Sequence, residues 1–312
     1  MGAADTPGSP AHRPPSADRP GESHDVHVAA AQRDGMVFDE VAAEYDRSRP
    51  TYPDELVARA CRLAGVGSGD SVLEVGCGSG QLTRSLVARG LDVVAVEPGK
   101  SLLSLAERNV EGPGRVDFVN ARFEDAPLAH GYFRALFSAS AFHWIDPDVS
   151  WRKAARALVP GGTLALIQYC GLQEERSAAD QRALLSALAR IAPEPAARWP
   201  RYRDLADTVA GVEERRENVS EAWAWVGSHD VARGCAARLF RDVRIACVPR
   251  LLEQTADELN ALLATASFYQ RLAPEQRQAL QREHREMYGR LGRPIRSSTV
   301  AVLVTARRST EV

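Results

Sequence analysis

Glycines at every second position follow an apolar run near residue 72. Gly76, Gly78 and Gly80 come directly after the segment Val72–Val75. Because glycine has no Cβ, a strand that breaks into such a loop before a helix lets the backbone approach a ligand closely. A second apolar run ends on Glu97, an acid that is placed to accept hydrogen bonds from both hydroxyls of a ribose. The two features together predict a cleft for a nucleoside cofactor.

The residue before the glycines indicates which nucleoside cofactor is favoured. Dinucleotide dehydrogenases use Gly-x-Gly-x-x-Gly, whereas the spacing here is Gly-x-Gly-x-Gly and Glu74 precedes it. A carboxylate would repel a pyrophosphate, but it would attract an ammonium or a sulfonium cation. S-adenosylmethionine carries both cations, so the pattern favours it over NAD. The alternative for Glu74 and Glu97 is that each is an ordinary acid at the end of a strand.

The elements that must position these residues alternate along the chain. Apolar runs predict seven strands, at Ser71–Val75, Asp92–Glu97, Val116–Val119, Arg134–Ser140, Thr163–Gln168, Val243–Val248 and Ser298–Thr305. Helical patterns at Gly80–Arg89, Lys100–Val110 and Ser150–Leu158 follow the first, second and fourth of these strands. Such alternation predicts an α/β fold with a Rossmann-like, doubly wound and mostly parallel sheet.

The chain divides into three parts by composition. Residues 1–34 are rich in proline and glycine, which predicts a disordered tail. Residues 35–312 form one predicted domain, in which residues 172–236 interrupt the alternation and read as a helical lid. Helices are also expected over Ala256–Thr265 and Pro274–Tyr288. Two charge-dense runs, at 213–217 and 281–286, read as solvated helix faces.

Composition excludes several classes of function. A net charge of −2 gives no general attraction to nucleic acid or to an anionic membrane. Five scattered cysteines without a Cys-x-x-Cys pair indicate neither a zinc site nor a disulfide framework, and solvated tail histidines (His12, His24 and His27) are favoured over a metal site. No apolar run approaches the ~20 residues of a membrane span, and no signal peptide is recognisable, so we expect a cytoplasmic protein with reduced thiols and no metal. The sequence carries no indication of oligomeric state.

Several motifs resemble one enzyme family. The segment 74–80 (EVGCGSG), Glu97 with Pro98, and the turn 158–162 (LVPGG) before a strand resemble the class I S-adenosylmethionine-dependent methyltransferases. The flanking residues 38–53 and the triplet 142–144 (FHW) resemble its small-molecule branch, which includes trans-aconitate methyltransferase. This resemblance implies a methyltransferase that acts on oxygen, nitrogen or carbon of a small-molecule metabolite.

The resemblance also implies roles for residues around the glycine loop. Glu74 would contact the methionine ammonium through water, while Gly76 and Gly78 would let the loop wrap the methionine. Glu97 would hold both ribose hydroxyls. Tyr45 and Arg49 resemble lid residues that close over the amino-acid end of the cofactor. Their alternative is helix packing with a surface ion pair.

At the adenine the chain departs from the family pattern. Relatives often carry Gly-Asp-Ala where this sequence has Ala121-Arg122-Phe123, so Arg122 replaces the acid that binds the adenine amino group. We therefore expect the backbone of Phe123 and the side chain of Glu124 to take over. Ser140, at the end of the fourth strand, is predicted to lie at the same cofactor site.

His143 is the candidate catalytic residue. It follows the fourth strand, where family members present residues to the substrate, and an imidazole titrates near neutral pH. Methyl transfer depends mainly on alignment, and a base is needed only when the acceptor must lose a proton. His143 therefore acts as a base or packs beneath the substrate mouth, and both readings stay open. His229 in the lid reads as solvated.

Other functions fit fewer of these features. A methyltransferase-like protein that binds the cofactor without transferring a methyl group, as a cyclase or a regulatory module, fits the same cofactor motifs. A nucleic-acid methyltransferase is disfavoured, because Ser140-Ala141-Phe142-His143 stands where an Asn-Pro-Pro-Tyr-type motif would follow the fourth strand. The lid aromatics Trp199, Trp223 and Trp225 suit either a flat acceptor or an ordinary core between helices.

Overall fold

A seven-stranded sheet organises the molecule. The computed structural model describes residues 38–199, 201–227 and 236–310. The strands in chain order are β1 (Ser71–Val75), β2 (Asp92–Val96), β3 (Val116–Val119), β4 (Phe133–Ala139), β5 (Leu158–Gly171), β6 (Phe240–Gln254) and β7 (Ile295–Arg308). Their order across the sheet is β3-β2-β1-β4-β5-β7-β6. Strands β1–β5 run parallel, and β7 runs antiparallel to both β5 and β6. The predicted α/β, mostly parallel sheet is confirmed.

Helices connect the strands and cover the sheet. Those before and between the first five strands are α1 (Ala42–Ser48), α2 (Asp54–Ala64), α3 (Gln81–Val87), α4 (Lys100–Asn109) and α5 (Pro147–Ala157), with a 3₁₀ turn at Phe142–Trp144. Between β5 and β6 come α6 (Glu175–Ile191), α7 (Pro193–Ala197), α8 (Leu205–Glu213) and α9 (Val219–Gly227). Between β6 and β7 come α10 (Ala256–Ala264), α11 (Ser267–Gln270) and α12 (Pro274–Leu291).

Successive residues of a strand point to opposite faces, so the sheet separates two buried cores. Val72 belongs to a cluster with Leu56 of α2 and Leu86 of α3. Its neighbour Leu73 belongs to the cluster on the other face, with Trp151 of α5 and Trp223 of α9. Helices α8 and α9 therefore extend the main core, and Trp223 is a core residue.

Helix ends follow local sequence signals. Helix α2 ends at Gly65 in the left-handed conformation (φ 67°). The Asp146 side chain accepts a hydrogen bond from the Asp148 N–H, and Pro147 occupies the first turn of α5. In α10, Thr255 and Glu258 form a reciprocal capping box. These caps fix where the helices start above the sheet.

The last three strands are longer than the apolar runs predict. Strand β5 begins at Leu158 rather than at Thr163 and continues to Gly171, and β6 and β7 have 15 and 14 residues. Backbone pairing between β6 and β7 extends to Gln254 opposite Ile295, beyond the apolar core of either strand. Polar residues such as Glu253 and Arg296 continue the ladder there, and their side chains pair at 2.8 Å. Sequence reading finds strands by apolar content and so ends them too early.

Two further predictions concern the N-terminal tail and the lid. The predicted tail with its three histidines, as well as His229, lies outside the described residues. Helices α6–α9 occur within the predicted lid, whose limits at 172 and 236 stay a prediction. Within the described residues, no helix combines the length and apolar character needed to cross a bilayer.

Candidate functional site

A large cavity opens at the carboxyl ends of the parallel strands. Its volume is about 1220 Å³. One side, here called the loop wall, consists of the loops after β1–β4; the other, the cap wall, consists of helices α6 and α10–α12 with the ends of β5 and β7. In open α/β sheets ligands bind at this edge, where the strand order reverses between β1 and β4. The cavity is therefore placed where the fold itself predicts a site.

The glycine loop brings backbone to the cavity without side chains. Gly76 has φ +71°, and a Cβ added there would lie 2.2 Å from Cβ of Ala141. Gly78 has φ +56°, and a Cβ added there would lie 3.7 Å from the Tyr45 ring. Both glycines line the cavity, as predicted. Gly80 is the N-terminal cap residue of α3, and a Cβ added there would lie 2.8 Å from Cγ2 of Val110; its contact with the cofactor stays a prediction.

Glu97 joins the glycine loop to the turn after β2. One carboxylate oxygen accepts a hydrogen bond from the Gly78 N–H at 3.0 Å, and the other accepts from the Gly99 N–H at 2.9 Å. The side chain is 7% exposed and lines the cavity. Burial raises the pKa of Glu97 to about 6, against the two backbone hydrogen bonds, which lower it. Each oxygen keeps a second lone pair for a ligand.

Glu74 lies behind the loop rather than at the cavity. Its side chain is 1% exposed, and its Oε2 has no hydrogen-bond partner among the described residues. Burial raises the pKa of Glu74 to about 8, while the Thr83 side chain lowers it and the charge of Glu97 raises it. A buried carboxyl with an unsatisfied oxygen is compatible with the predicted contact through water, because only water or a ligand group would reach that oxygen.

An N-terminal segment, residues 38–49, closes over the glycine loop and is here called the clasp. Asp46 accepts hydrogen bonds from the Ser79 hydroxyl at 2.7 Å and from the Asn109 amide at 3.0 Å. Asp39 accepts from the Leu102 N–H at 2.9 Å, within the first turn of α4. The clasp is thus bonded to the loop and to the helix that flank the same part of the cavity.

Tyr45 and Arg49 are brought together on the clasp. The Arg49 guanidinium lies 5.1 Å from the centroid of the Tyr45 ring, and both residues line the cavity. Arg49 also donates to the hydroxyl of Thr265 at 2.9 Å and to its carbonyl at 2.6 Å. Thr265 is the C-terminal cap residue of α10, so Arg49 links the loop wall to the cap wall. The cofactor role of Tyr45 and Arg49 and its alternative both stay predictions.

Ser140 occupies a strained position at the end of β4. Its φ is +54°, which is unusual for a residue with a Cβ. The Ser140 hydroxyl accepts a hydrogen bond from the Tyr52 hydroxyl at 3.2 Å, and the Tyr52 ring stacks on Tyr169 at 5.6 Å. All three residues line the cavity. The stacked rings of Tyr52 and Tyr169 therefore form part of the cavity surface between the two walls.

The predicted adenine residues lie at the other end of the loop wall. Phe123 is buried and lines the cavity, with the Lys153 ammonium 5.5 Å from its ring centroid. Glu124 also lines the cavity, and its carboxylate accepts from Arg122 at 3.0 Å. Arg122 thus pairs with the very acid expected to replace the family's aspartate. The structure brings these residues to the cavity; their contact with adenine stays a prediction.

His143 lies in the 3₁₀ turn that follows β4. It lines the cavity, and its ring centroid is 4.6 Å from that of Trp144, which in turn contacts Phe38 of the clasp. Cavity lining is compatible with a base, and the aromatic contacts are compatible with packing. Both roles therefore stay predictions.

The cap wall is mostly apolar and contains a histidine that the sequence reading placed in solvent. Trp199 lines this wall, whereas Trp225 packs between the guanidinium groups of Arg203 and Arg215. The run 281–286 is not wholly solvated, because His284 is 3% exposed and lines the cavity. It lies on the inner face of α12, four residues after Leu280, which is also buried there. Helical periodicity around Leu280 was the signal for its burial.

These residues fit S-adenosylmethionine. Gly76 and Gly78 add no side chain of their own to the cavity, Glu97 offers lone pairs at the cavity surface, and Glu74 holds an unsatisfied oxygen behind the loop. Aromatic and apolar residues at the Phe123 end suit the face of a base. Ribose hydroxyls, a cationic amino acid and a purine therefore each meet a suitable partner.

Comparison with known proteins finds a family model that matches the part of the chain with the central strands. Residues 73–166, which span β1–β5, match the family described as "Methyltransferase domain". This segment is therefore similar to methyltransferase domains. An uncharacterized methyltransferase of Mycobacterium tuberculosis is 36% identical over 141 residues, covering 45% of this chain and 55% of that protein. The chain spans about half the length of the curated relatives it matches.

Two further proteins are similar to this chain. A demethylmenaquinone methyltransferase of Clavibacter sepedonicus is 30% identical over 139 residues, covering 43% of this chain and 56% of that protein. The structure of a putative type II methyltransferase from Anaeromyxobacter dehalogenans superposes with a TM-score of 0.53 at 22% identity, covering 83% of this chain and 97% of that one. The latter shows a shared fold.

Sequence reading missed most of the contacts that close the candidate site. Asp39, Asp46 and Tyr52 belong to the motif quoted for the resemblance, but no role followed from their types. Their partners Leu102, Asn109 and Ser140 are 63 to 88 residues away along the chain. Only the fold brings such pairs together. The available signal was the segment 38–53 itself, in which two acids and a tyrosine lie beside a predicted helix.

Proposed function

We propose that this protein transfers the methyl group of S-adenosylmethionine to a small molecule held between the loop wall and the cap wall. The observation that carries the proposal is Glu97, which presents free lone pairs at the cavity while it fixes the glycine loop through Gly78. The cofactor supplies an activated methyl group. The chain's own residues bind it, orient it and exclude water.

Each predicted site residue has a task under this proposal. Glu97 binds the ribose, the Gly76–Gly78 backbone borders the amino-acid end, and Phe123 with Glu124 borders the base. Tyr45 and Arg49 shield the cavity from solvent through the clasp. His143 aligns the acceptor or takes its proton.

The nature of the acceptor rests on the enclosure of the site. The cavity is bounded by the clasp and by helices α10–α12, which leaves room for a metabolite rather than for a duplex. The name of the Clavibacter relative also indicates a small-molecule acceptor for that protein. The small-molecule branch that includes trans-aconitate methyltransferase and a cytoplasmic location remain predictions from the sequence, as do residues 172–236 as a lid.

Calorimetric titration with S-adenosylmethionine and with S-adenosylhomocysteine tests the cofactor. We expect micromolar binding of both, and no binding of either would contradict the proposal. Incubation with methyl-tritiated cofactor and either a small-molecule extract or transfer RNA tests the acceptor. We expect label in the low-mass fraction; label in the RNA alone would show a nucleic-acid acceptor instead.

A further inference from the structure

His284 and Asn260 form a buried polar pair inside the cap wall. The two residues are 3% and 6% exposed, and the His284 Nδ1 lies 2.6 Å from the Asn260 Oδ1. His284 belongs to α12 and Asn260 to α10. Around them, Leu259, Met287 and Ile295 form an apolar cluster. Burying a polar pair among apolar side chains costs free energy. We therefore expect a role of this pair beyond joining two helices.

The hydrogen bond fixes the tautomer of the histidine. A side-chain amide oxygen can only accept, so Nδ1 of His284 carries the proton and donates to Asn260. In a neutral imidazole the other nitrogen, Nε2, then has a lone pair. Since His284 lines the cavity while its Nδ1 is engaged by Asn260, the Nε2 edge is the polar part of the ring that remains for a ligand.

The ring is a binding group rather than a base. Burial lowers the pKa of His284 to about 4, against the charge of Glu283, which raises it. An imidazole with so low a pKa is neutral at neutral pH and takes up a proton poorly, whereas a general base works best with a pKa near the working pH. A neutral acceptor nitrogen at a cavity wall instead selects for a hydrogen-bond donor.

The surroundings of His284 define the rest of the ligand. Leucines of three helices line the cavity on this side: Leu184, Leu188, Leu259, Leu263 and Leu280. The aromatic rings of Trp199 and Phe268, which meet edge to face at 4.8 Å, line it as well. Gln181, Ser267 and Arg271 line the same wall, so the part of a molecule that contacts the leucines and the two rings is the part that must be apolar.

We propose that Nε2 of His284, with Asn260 as the positioning residue, accepts a hydrogen bond from a hydroxyl or N–H group of an otherwise apolar methyl acceptor. This inference rests on the proposed methyltransferase function, because it assigns the acceptor end of the same cavity. It adds a specificity residue and a chemical class of acceptor: an apolar, ring-sized molecule that carries a hydrogen-bond donor.

Three ring probes of matched size test the proposal on the full chain saturated with S-adenosylhomocysteine. Naphthalene, 2-naphthol and 2-naphthoate differ in whether they carry no polar group, a donor or an anion. We expect wild type to bind 2-naphthol about three- to tenfold more tightly than naphthalene, the range for one neutral hydrogen bond. Equal affinity for the two, or tightest binding of 2-naphthoate, would overturn the proposal.

Variants assign the preference to the pair. The double variant His284→Leu with Asn260→Leu removes both polar groups and leaves no unpaired partner, so it should fold and should lose the preference for 2-naphthol. His284→Gln, which retains an acceptor oxygen, should recover part of it. His130→Leu makes the same change at an exposed histidine outside this cavity and should retain it fully.

The outcome is separable from that of the proposed function. S-adenosylhomocysteine should bind the double variant as it binds wild type, since the two residues are hydrogen-bonded to each other within the cap wall. Loss of the cofactor analogue from wild type would contradict the proposed function. A preference for 2-naphthol that survives in the double variant would contradict the role of His284 alone.

Discussion

The loop wall and the cap wall of one cavity are built in opposite ways. Backbone groups and short-range sequence motifs form the loop wall, in which Gly76, Gly78 and Glu97 lie within 22 residues of chain. The cap wall draws on helices from two separate stretches, α6 before β6 and α10–α12 after it. A site that needs close approach of the backbone requires glycines at fixed spacing, which the sequence shows. A wall of packed side chains requires no such fixed spacing.

The sharpest break of the loop wall is Gly76→Ala. The new Cβ would lie 2.2 Å from that of Ala141 on a backbone with φ +71°, so both overpacking and left-handed strain oppose it. We expect about 3 kcal/mol less stability and at least about a hundredfold weaker binding of S-adenosylhomocysteine. Chemical unfolding and calorimetry measure the two effects.

Gly161→Ala is the matched control. Gly161 has φ +72°, but nothing lies within 4 Å of its added Cβ. Only the backbone cost of about 1 kcal/mol should appear, with unchanged binding. Equal effects at the two positions would show that close approach at Gly76 is unimportant.

The buried acid behind the loop predicts a dependence of stability on pH. The pKa of Glu74 is about 8 in the folded chain, against an ordinary value of 4.5. The folded state therefore holds the proton more tightly than the unfolded state, and this contribution to stability is lost as pH rises from about 4.5 to about 8. Glu74→Gln should remove it, so wild type should lose about 2–3 kcal/mol relative to the variant between pH 5.5 and 7.5. Urea unfolding of the two proteins across this pH range measures the difference in their free energies of unfolding. A difference that does not change with pH would show that Glu74 is solvated.

Glu97→Gln probes the link between the ribose acid and the glycine loop. An amide keeps one acceptor oxygen but turns its NH₂ group toward a backbone N–H, so one of the bonds to Gly78 and Gly99 is lost. We expect about thirtyfold weaker binding of S-adenosylhomocysteine, close to 2 kcal/mol. Glu107→Gln, at an exposed acid on α4, should bind as wild type does. Calorimetry of both variants decides whether the charge at position 97 itself matters.

The hydrogen bond between Arg49 and Thr265, which links the two walls, should give the smallest effect. A double-mutant cycle of Arg49→Met and Thr265→Val isolates the bond from the guanidinium to the Thr265 hydroxyl, and we expect a coupling energy of about 1 kcal/mol. The exposed pair Arg47 and Glu44 should give less than about 0.5 kcal/mol. A coupling of zero at Arg49 would mean that the walls stand independently.

The same contrast explains what the sequence could predict. The glycine spacing and the acids at strand ends predicted the sheet edge, because each reflects a local demand on the backbone. His284 was assigned to solvent because its neighbours Arg282, Arg285 and Glu286 are charged. A mostly charged run does not reveal the single position that the helix turns inward. Asp46 and Tyr52 gained partners only through pairing across 33 to 88 residues, which no local pattern encodes.

The clasp has a consequence for how fast the site exchanges its contents. In α1 the one buried side chain is Ala42, so this helix is held mainly by the polar contacts of Asp46 and Arg49 and by aromatic edges. A segment with so little buried apolar surface detaches at a small fraction of the cost of global unfolding. The detachment of the twelve clasp residues, 38–49, then sets how long a ligand stays at the loop wall, while the sheet beneath stays intact.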